Sequence, residues 1–211
     1  MVTAVATGGT ANYNYLWQPG NKTTATISGL SAGTYSVTIT DSKACTANTS
    51  TVITQPTTLT VSTTKTNETC DYLDNGTATV TASGGTSGYI YLWLPMGATT
   101  ASVNSLASGT YTITATDIKG CTTSTTTAIS QPTTLALSFS PVTNVSCYAG
   151  SNGSATAVPS GGTSGYTYNW QPISKTTANA TGLSAATFTT TVTDANGCVA
   201  TNTLVITQPM Q

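Results

Sequence analysis

The stretch Thr34-Tyr35-Ser36-Val37-Thr38-Ile39-Thr40 alternates strictly, with Tyr35, Val37 and Ile39 on one face and hydroxyl side chains on the other. Successive side chains of a β-strand point to opposite faces, so the pattern predicts a strand that is apolar on its inner face and wet on its outer one. β-Branched and aromatic residues suit such a surface. About a quarter of the chain is threonine, and valine, isoleucine and tyrosine supply much of the rest. No segment carries the period of an amphipathic helix, and the chain reads as all-β.

The strand belongs to a unit that recurs. Trp17, Trp93 and Trp170 are spaced by 76 and then 77 residues, as are the Gln-Pro pairs at 55–56, 131–132 and 208–209. The same steps link Gly8-Gly9-Thr10, Gly84-Gly85-Thr86 and Gly161-Gly162-Thr163, then Asp41, Asp117 and Asp194, then Cys45, Cys121 and Cys198. Self-similarity at a fixed period marks a repeat array, and the chain divides into copies at 1–56, 57–132 and 133–211. The extra residue of copy three falls between Pro132 and Cys147, in a leading strand or its following loop. Copy one opens part-way through the unit. The sequence is therefore expected to be a segment of a longer repetitive protein, with Met1 not a biological start.

Within copy two the alternation predicts strands over 59–63, 77–83, 89–93, 101–106, 110–116 and 122–129. Short strands at this spacing suggest tandem immunoglobulin-like antiparallel β-sandwiches. Asn75-Gly76 and Asn152-Gly153 are suited to positive φ, while Asp117-Ile118-Lys119-Gly120 and Asp194-Ala195-Asn196-Gly197 set Asp first and Gly last, as type I turns prefer. Tyr35 and Tyr111 stand where such domains form a tyrosine corner, and Phe188, at the same place in copy three, has no hydroxyl to form one. The Gln-Pro-Thr-Thr junctions are short and fix φ, which predicts a semi-rigid rod of domains.

Composition excludes much. Five lysines, six carboxylates, no arginine and no histidine leave 5% of the chain charged, against about a quarter in ordinary domains. Without imidazole there is no Ser-His or Cys-His pair and no His-ligated zinc; without guanidinium there is no clamp for phosphate. An enzyme is not expected. A net charge of -1 is too weak a field for nucleic acid or an anionic membrane surface, and no run is long and apolar enough for a membrane-spanning helix. The first residues lack the basic and apolar regions of a signal peptide.

Cys70 and Cys121 are 51 residues apart, and so are Cys147 and Cys198. That equality predicts one disulfide inside each complete copy, with the mate of Cys45 upstream of the chain; the alternative is a buried reduced pair, which a cytosolic home would favour. Each such closure would contribute roughly 3 to 4 kcal/mol in the chain-entropy model.

In copy three, Cys147-Tyr148-Ala149-Gly150-Ser151-Asn152-Gly153-Ser154-Ala155 leads to Gly161-Gly162-Thr163 and then to Tyr166-Thr167-Tyr168-Asn169-Trp170. Gly182-Leu183-Ser184 follows, then Thr191-Val192-Thr193-Asp194-Ala195-Asn196-Gly197-Cys198 and Ile206-Thr207-Gln208-Pro209. Together these resemble the SprB-type repeat of Bacteroidota cell-surface proteins, over nearly the whole chain. The resemblance implies very large, secreted, multi-repeat surface proteins, among them gliding-motility adhesins exported by the type IX system. Copy one departs at Ala44, where glycine precedes the cysteine elsewhere. Copy two departs at Leu94 and at 71–74.

The candidate sites read mostly as structural. Trp17, Trp93 and Trp170 close Tyr-x-Tyr-x-Trp strands that place three aromatics on one face, either packed in the core or exposed to stack on sugar rings. Core packing is favoured, and Tyr35, Tyr111 and Phe188 are read as core with them. Asp41, Asp117 and Asp194 supply one carboxylate per copy, too few for the several that calcium wants, so a turn role suffices. Lys22 and Lys175 align but copy two has Ala98, which argues against a Lys–Asn isopeptide bond. Asn-x-Ser/Thr triplets are expected by chance in so threonine-rich a chain.

No catalytic, cofactor or metal residue is assigned. The expected function is structural and adhesive: part of an extracellular, outer-membrane-associated filament or adhesin stalk. Its expected partners are neighbouring repeats, lateral or end-on copies of itself, and surface polysaccharide. An incomplete first copy also offers an edge that a strand from another subunit could fill. The alternative function is a carbohydrate-binding array that uses the Trp/Tyr strands.

Overall fold

The computed structural model describes residues 1–211. It holds seventeen β-strands and no helix, in two compact units, Met1–Thr58 and Leu59–Gln211.

In the first unit, β1 (Val2–Thr3) pairs with β3 (Thr26–Ile27). Facing them, β2 (Asn14–Gln18), β4 (Gly33–Thr40) and β5 (Thr46–Ile53) form a three-stranded sheet in the order β2-β4-β5. The alternating stretch quoted above lies in β4, where Val37 is buried with Ala4, Trp17 and Ile27 while Tyr35 and Ile39 pack on them half-buried.

The second unit holds copies two and three, with six strands each. Copy two runs through β6 (Thr60–Thr66), β7 (Gly76–Ser83), β8 (Ile90–Leu94), β9 (Ser102–Leu106), β10 (Gly109–Thr116) and β11 (Thr122–Ile129). Copy three repeats them as β12 (Ala136–Thr143), β13 (Gly153–Ser160), β14 (Thr167–Gln171), β15 (Asn179–Leu183), β16 (Ala186–Thr193) and β17 (Val199–Ile206). In each copy the first, second and fourth strands form one sheet and the third, fifth and sixth the other, all pairs antiparallel. This is the immunoglobulin strand order without strand D. The tyrosine corner accompanies it: the Tyr35 hydroxyl donates to the Ser31 carbonyl at 3.2 Å and Tyr111 to Ala107 at 2.9 Å. At the same place Phe188 is buried in the core of copy three.

The extra residue of copy three has a definite place. β6 and β7 pair without interruption from Thr60↔Ser83 to Thr66↔Thr77, whereas β12 slips by one residue against β13 between Phe139 and Val142. Ser140-Pro141 forms a β-bulge in the leading strand, where a residue that cannot donate to the ladder is tolerated.

The glycines after Asn75 and Asn152 serve a different purpose from the positive φ their dipeptides suggested. Gly76 and Gly153 begin strands. A Cβ on Gly76 would stand 2.6 Å from Ile129 Cγ2 and 2.7 Å from the Leu106 carbonyl, and one on Gly153 would stand 2.8 Å from the Leu183 carbonyl. Close packing between the sheets demands these glycines. The left-handed backbone lies instead at the hairpin turns, at Gly120 (φ 84°) and Gly197 (φ 83°), and at Ala44 (φ 65°) in copy one.

Candidate functional site

Each sandwich is pinned by three recurring sets of polar contacts. In the first, the tryptophan of the aromatic strand is buried and its indole N–H is satisfied: Trp17 donates to the Thr24 carbonyl, Trp93 to Thr100 and Trp170 to Thr177, at 2.9, 2.9 and 3.0 Å. At 2%, 0% and 0% exposure these rings offer no face to a sugar. The first tyrosine of each strand is also tied down, Tyr13 to the Gly8 carbonyl, Tyr89 to Gly84 and Tyr166 to Gly161, each at 2.6 Å.

In the second set, a buried aspartate accepts backbone N–H groups with both carboxylate oxygens. Asp117 Oδ2 accepts from Thr86, and its Oδ1 accepts from Lys119 and Cys121, all at 2.9 Å. Asp41 does the same with Thr10, Lys43 and Cys45, and Asp194 with Thr163, Asn196 and Cys198. The Thr10 N–H above all, with those of Cys45 and Lys43, holds the Asp41 carboxyl below the ordinary carboxylate range. The Thr86 N–H does so first at Asp117. At Asp194 burial pushes upward, but the N–H groups of Thr163, Cys198, Asn196 and Gly197 together outweigh it. A carboxylate surrounded by donors is an internal brace joining the Gly-Gly corner to the hairpin turn. Its two oxygens, ionised, accept these backbone N–H groups.

The third set fixes the cysteines, and here the structure corrects the sequence reading. Cys70 bonds to Cys198, 128 residues away in the next copy, with the two Cα atoms 5.7 Å apart. The pairs Cys70–Cys121 and Cys147–Cys198 do not form; Cys45, Cys121 and Cys147 are free and exposed. Strand direction explains why. The loop carrying Cys70 lies beside the end of β11, because the Glu68 N–H donates to the Ser130 carbonyl at 3.0 Å and the Ser130 N–H to Asn67 Oδ1 at 3.2 Å. Cys121 stands just before the start of β11. An eight-residue strand separates them, about 25 Å at the usual rise, while a disulfide tolerates Cα separations of up to about 7 Å. Copy three is built the same way. Val145 donates to the Thr207 carbonyl and Thr207 to Asn144 Oδ1, both at 3.0 Å, so Cys147 lies at the end of β17 opposite Cys198.

The bridge thus has a loop half and a turn half. In the loop half, the Thr69 N–H donates to Asn75 Oδ1 at 3.0 Å and Asn75 Nδ2 returns a bond to Thr69 Oγ1 at 2.7 Å. In the turn half, Asp194 holds the Cys198 N–H at 2.8 Å. Asn196 Nδ2 spans the junction, donating to the Thr69 carbonyl at 3.2 Å and to Thr163 Oγ1 at 2.9 Å. Both sulfurs are buried.

Strand order, the tyrosine corner and a bridge between successive domains define a tandem array of immunoglobulin-like β-sandwiches. More narrowly, residues 1–22, 62–98 and 140–174 are similar to the SprB repeat, whose model matches them. The matched segments end shortly after the tryptophan, so the hairpin with Asp194 and Cys198 and the closing Gln208-Pro209 lie outside them. No curated protein matches the sequence. Similar solved structures include the N-terminal eight Ig domains of Down Syndrome Cell Adhesion Molecule isoform 1.30.30, at 9% identity and a TM-score of 0.38 over 93% of this chain and 32% of that one. Sidekick-1 immunoglobulin domains 1–5 give 11% and 0.38 over 93% and 52%. Drosophila OTK extracellular domains 3–5 give 15% and 0.34 over 95% and 87%. The chain spans about a third of the first of these and half of the second.

Proposed function

We propose that this chain is a structural and adhesive segment of an extracellular surface filament or adhesin stalk, built from repeats bounded near residues 56 and 132, which projects and mechanically supports cell-surface contact. The observation that carries this reading is the buried Cys70–Cys198 bridge between copies. Such bonds persist in oxidising environments, and a bond joining successive domains serves extension and durability. The match to the SprB repeat supports a cell-surface location and, at its most specific, a part in gliding motility. The absence of imidazole and guanidinium from the sequence fits a non-enzymatic role.

Lateral self-association is part of the same proposal. On β8, an edge strand of its sheet, Ile90, Leu92 and Leu94 face outward at 68%, 44% and 50% exposure. With so few charges on the chain, little repulsion opposes contact between such rows. The test is immunogold electron microscopy of intact source cells, joined to a non-reducing mass map of protein released from their surface. Labelled fibres carrying the Cys70–Cys198 peptide are the expected result. Label confined to the cell interior, with both cysteines reduced, would sink the reading.

A further inference from the structure

The six carboxyl side chains divide into two sets. Asp41, Asp117 and Asp194 are the braces, enclosed by backbone N–H groups. Glu68, Asp71 and Asp74 all fall in one loop, between β6 and β7 of copy two. The bonds that hold this loop run through Thr69, Asn75 and the backbone. The Leu73 N–H donates to the Cys70 carbonyl at 3.3 Å and the Asn75 N–H to the Leu73 carbonyl at 2.7 Å, which leaves the three carboxyl groups unused. The nearest lysine in sequence, Lys65, directs its ammonium to the Ala128 carbonyl of β11.

One of the three is costly to keep. Glu68 is 5% exposed with Oε1 unpartnered, and copy three does without it, having Val145 at the same place. Val145 shows where that side chain lies. Its loop keeps the same backbone bond, from the Gly150 N–H to the Cys147 carbonyl at 3.0 Å, and a Cβ on Gly150 would stand 2.9 Å from Val145 Cγ1. Leu73 takes the place of Gly150 in copy two, so Glu68 lies beneath the tip that carries Asp71 and Asp74. A buried polar group that breaks the packing rule without a structural partner is expected where function demands it.

Tyr72 completes the tip. It is the one exposed aromatic ring of copy two, at 59%, and stays so with copy three in place across the Cys70–Cys198 bridge. Such a ring among carboxylates attracts a cation through its face. The disulfide and the Asn196 bond to the Thr69 carbonyl hold the loop still, so little ordering is left for a ligand to impose. The three carboxyl groups do not gather at one point as the ligands of a single metal ion would. Their arrangement suits an extended partner with spaced positive charges.

We propose that the Glu68–Asp74 loop is a docking site for a cationic peptide, a lysine- or arginine-bearing stretch of another protein. Its charges meet Asp71 and Asp74, one lies over the Tyr72 ring, and the buried Glu68 carboxyl adds its field from below. That the partner is extracellular rests on the surface role proposed above. The binding is read on the purified chain, so failure of either leaves the other standing.

The probe is a fluorescent hexalysine peptide, titrated with the disulfide-intact chain at about 0.01 M and about 0.15 M salt, between which the screening length shortens from about 30 to about 8 Å. The expected result is saturable one-to-one binding that weakens as salt rises. Asp71→Asn with Asp74→Asn should weaken it by about fivefold or more, and Tyr72→Ala by about threefold. Glu68→Val gives the distinguishing result: a higher urea midpoint together with weaker binding. Glu68→Gln, of the same shape, should also bind less tightly, with Cys70–Cys198 intact as evidence of folding. The proposal is overturned by a chain that shows no saturable binding at low salt, by equal binding of the double aspartate variant, or by a Glu68→Val chain that binds as tightly as the parent. Calcium that needs Asp71 and Asp74 and displaces the peptide would overturn it too, in favour of an ion site.

Discussion

The two complete copies share a backbone and each carries one fault in its core, at different places. In copy two, Glu68 is buried with Oε1 unpartnered, where copy three has buried Val145. In copy three, Thr190 is fully buried with its hydroxyl unpartnered, where copy two has Ile113 and copy one has Val37. Each copy thus supplies the repair for the other. The contacts they have in common are side chains bonded to backbone: the aspartate brace, the indole N–H and the asparagine of the cysteine loop. The comparison teaches that this sandwich depends on polar side chains that hold backbone groups in place, while individual apolar positions drift. The outer faces drift too, since Ile90, Leu92 and Leu94 of copy two become Thr167, Asn169 and Gln171 in copy three.

The largest expected effect comes from removing what joins the copies. C70S should lower the stability of Leu59–Gln211 by about 3 to 5 kcal/mol, as expected for a loop of this length, and leave Met1–Thr58 unchanged; urea unfolding with and without reductant reads both units. Acid should act on all copies alike. The braced aspartates have lowered values in the folded chain, so their stabilisation is present above the unfolded value of about 3.9 and is lost as pH falls through the folded values. A thermal midpoint that is level near neutrality and falls below about pH 4 is expected, with D117N blunting the fall for copy two alone.

Exchanging the two faults separates the copies again. Glu68→Val should stabilise copy two by about 1 to 3 kcal/mol, the cost of an unsatisfied buried polar group. Thr190→Val should give copy three about 1 kcal/mol for the loss of an unpaired hydroxyl in nearly the same volume. Both are read from the shift in urea midpoint. The smallest effect on folding is expected from I90T, L92N and L94Q combined, within about 0.5 kcal/mol per site as for surface substitutions. Sedimentation velocity should nevertheless show less self-association, and an unchanged profile would remove that row from the proposed lateral contact.

Much of the fold was legible in the sequence because alternation and period are local signals. The strand read at 122–129 matches β11, the place of the extra residue was bounded correctly, and Trp93 and Trp170 belong to the cores their strands imply. The leading strand runs to Thr66 and not Thr63 because cross-strand pairing with β7, which a single-strand pattern does not record, carries it on to Thr77. The cysteine pairing was misread because two equal intervals satisfy an intradomain rule and an interdomain rule alike. Direction breaks the tie. The last strand of a copy must run toward the next copy, so a cysteine at its start faces backward, while the loop after the first strand faces forward. Thr190 alternates with Phe188 and Val192 and aligns with Ile113, so its inward position is legible in the strand period, whereas Glu68 lies beyond the end of β6 and carries no such signal.

Consider the chain as a cable pulled from its two ends. Load entering at Cys70 passes through sulfur to Cys198 and bypasses everything between them, including the Gln131–Thr134 linker and ten whole strands from β7 to β16. The 128 residues so enclosed would otherwise release about 430 Å of contour length at roughly 3.4 Å per residue. With the bridge closed, only residues 1–69 and 199–211 outside it can pay out, and a protease that cuts the linker leaves both halves attached.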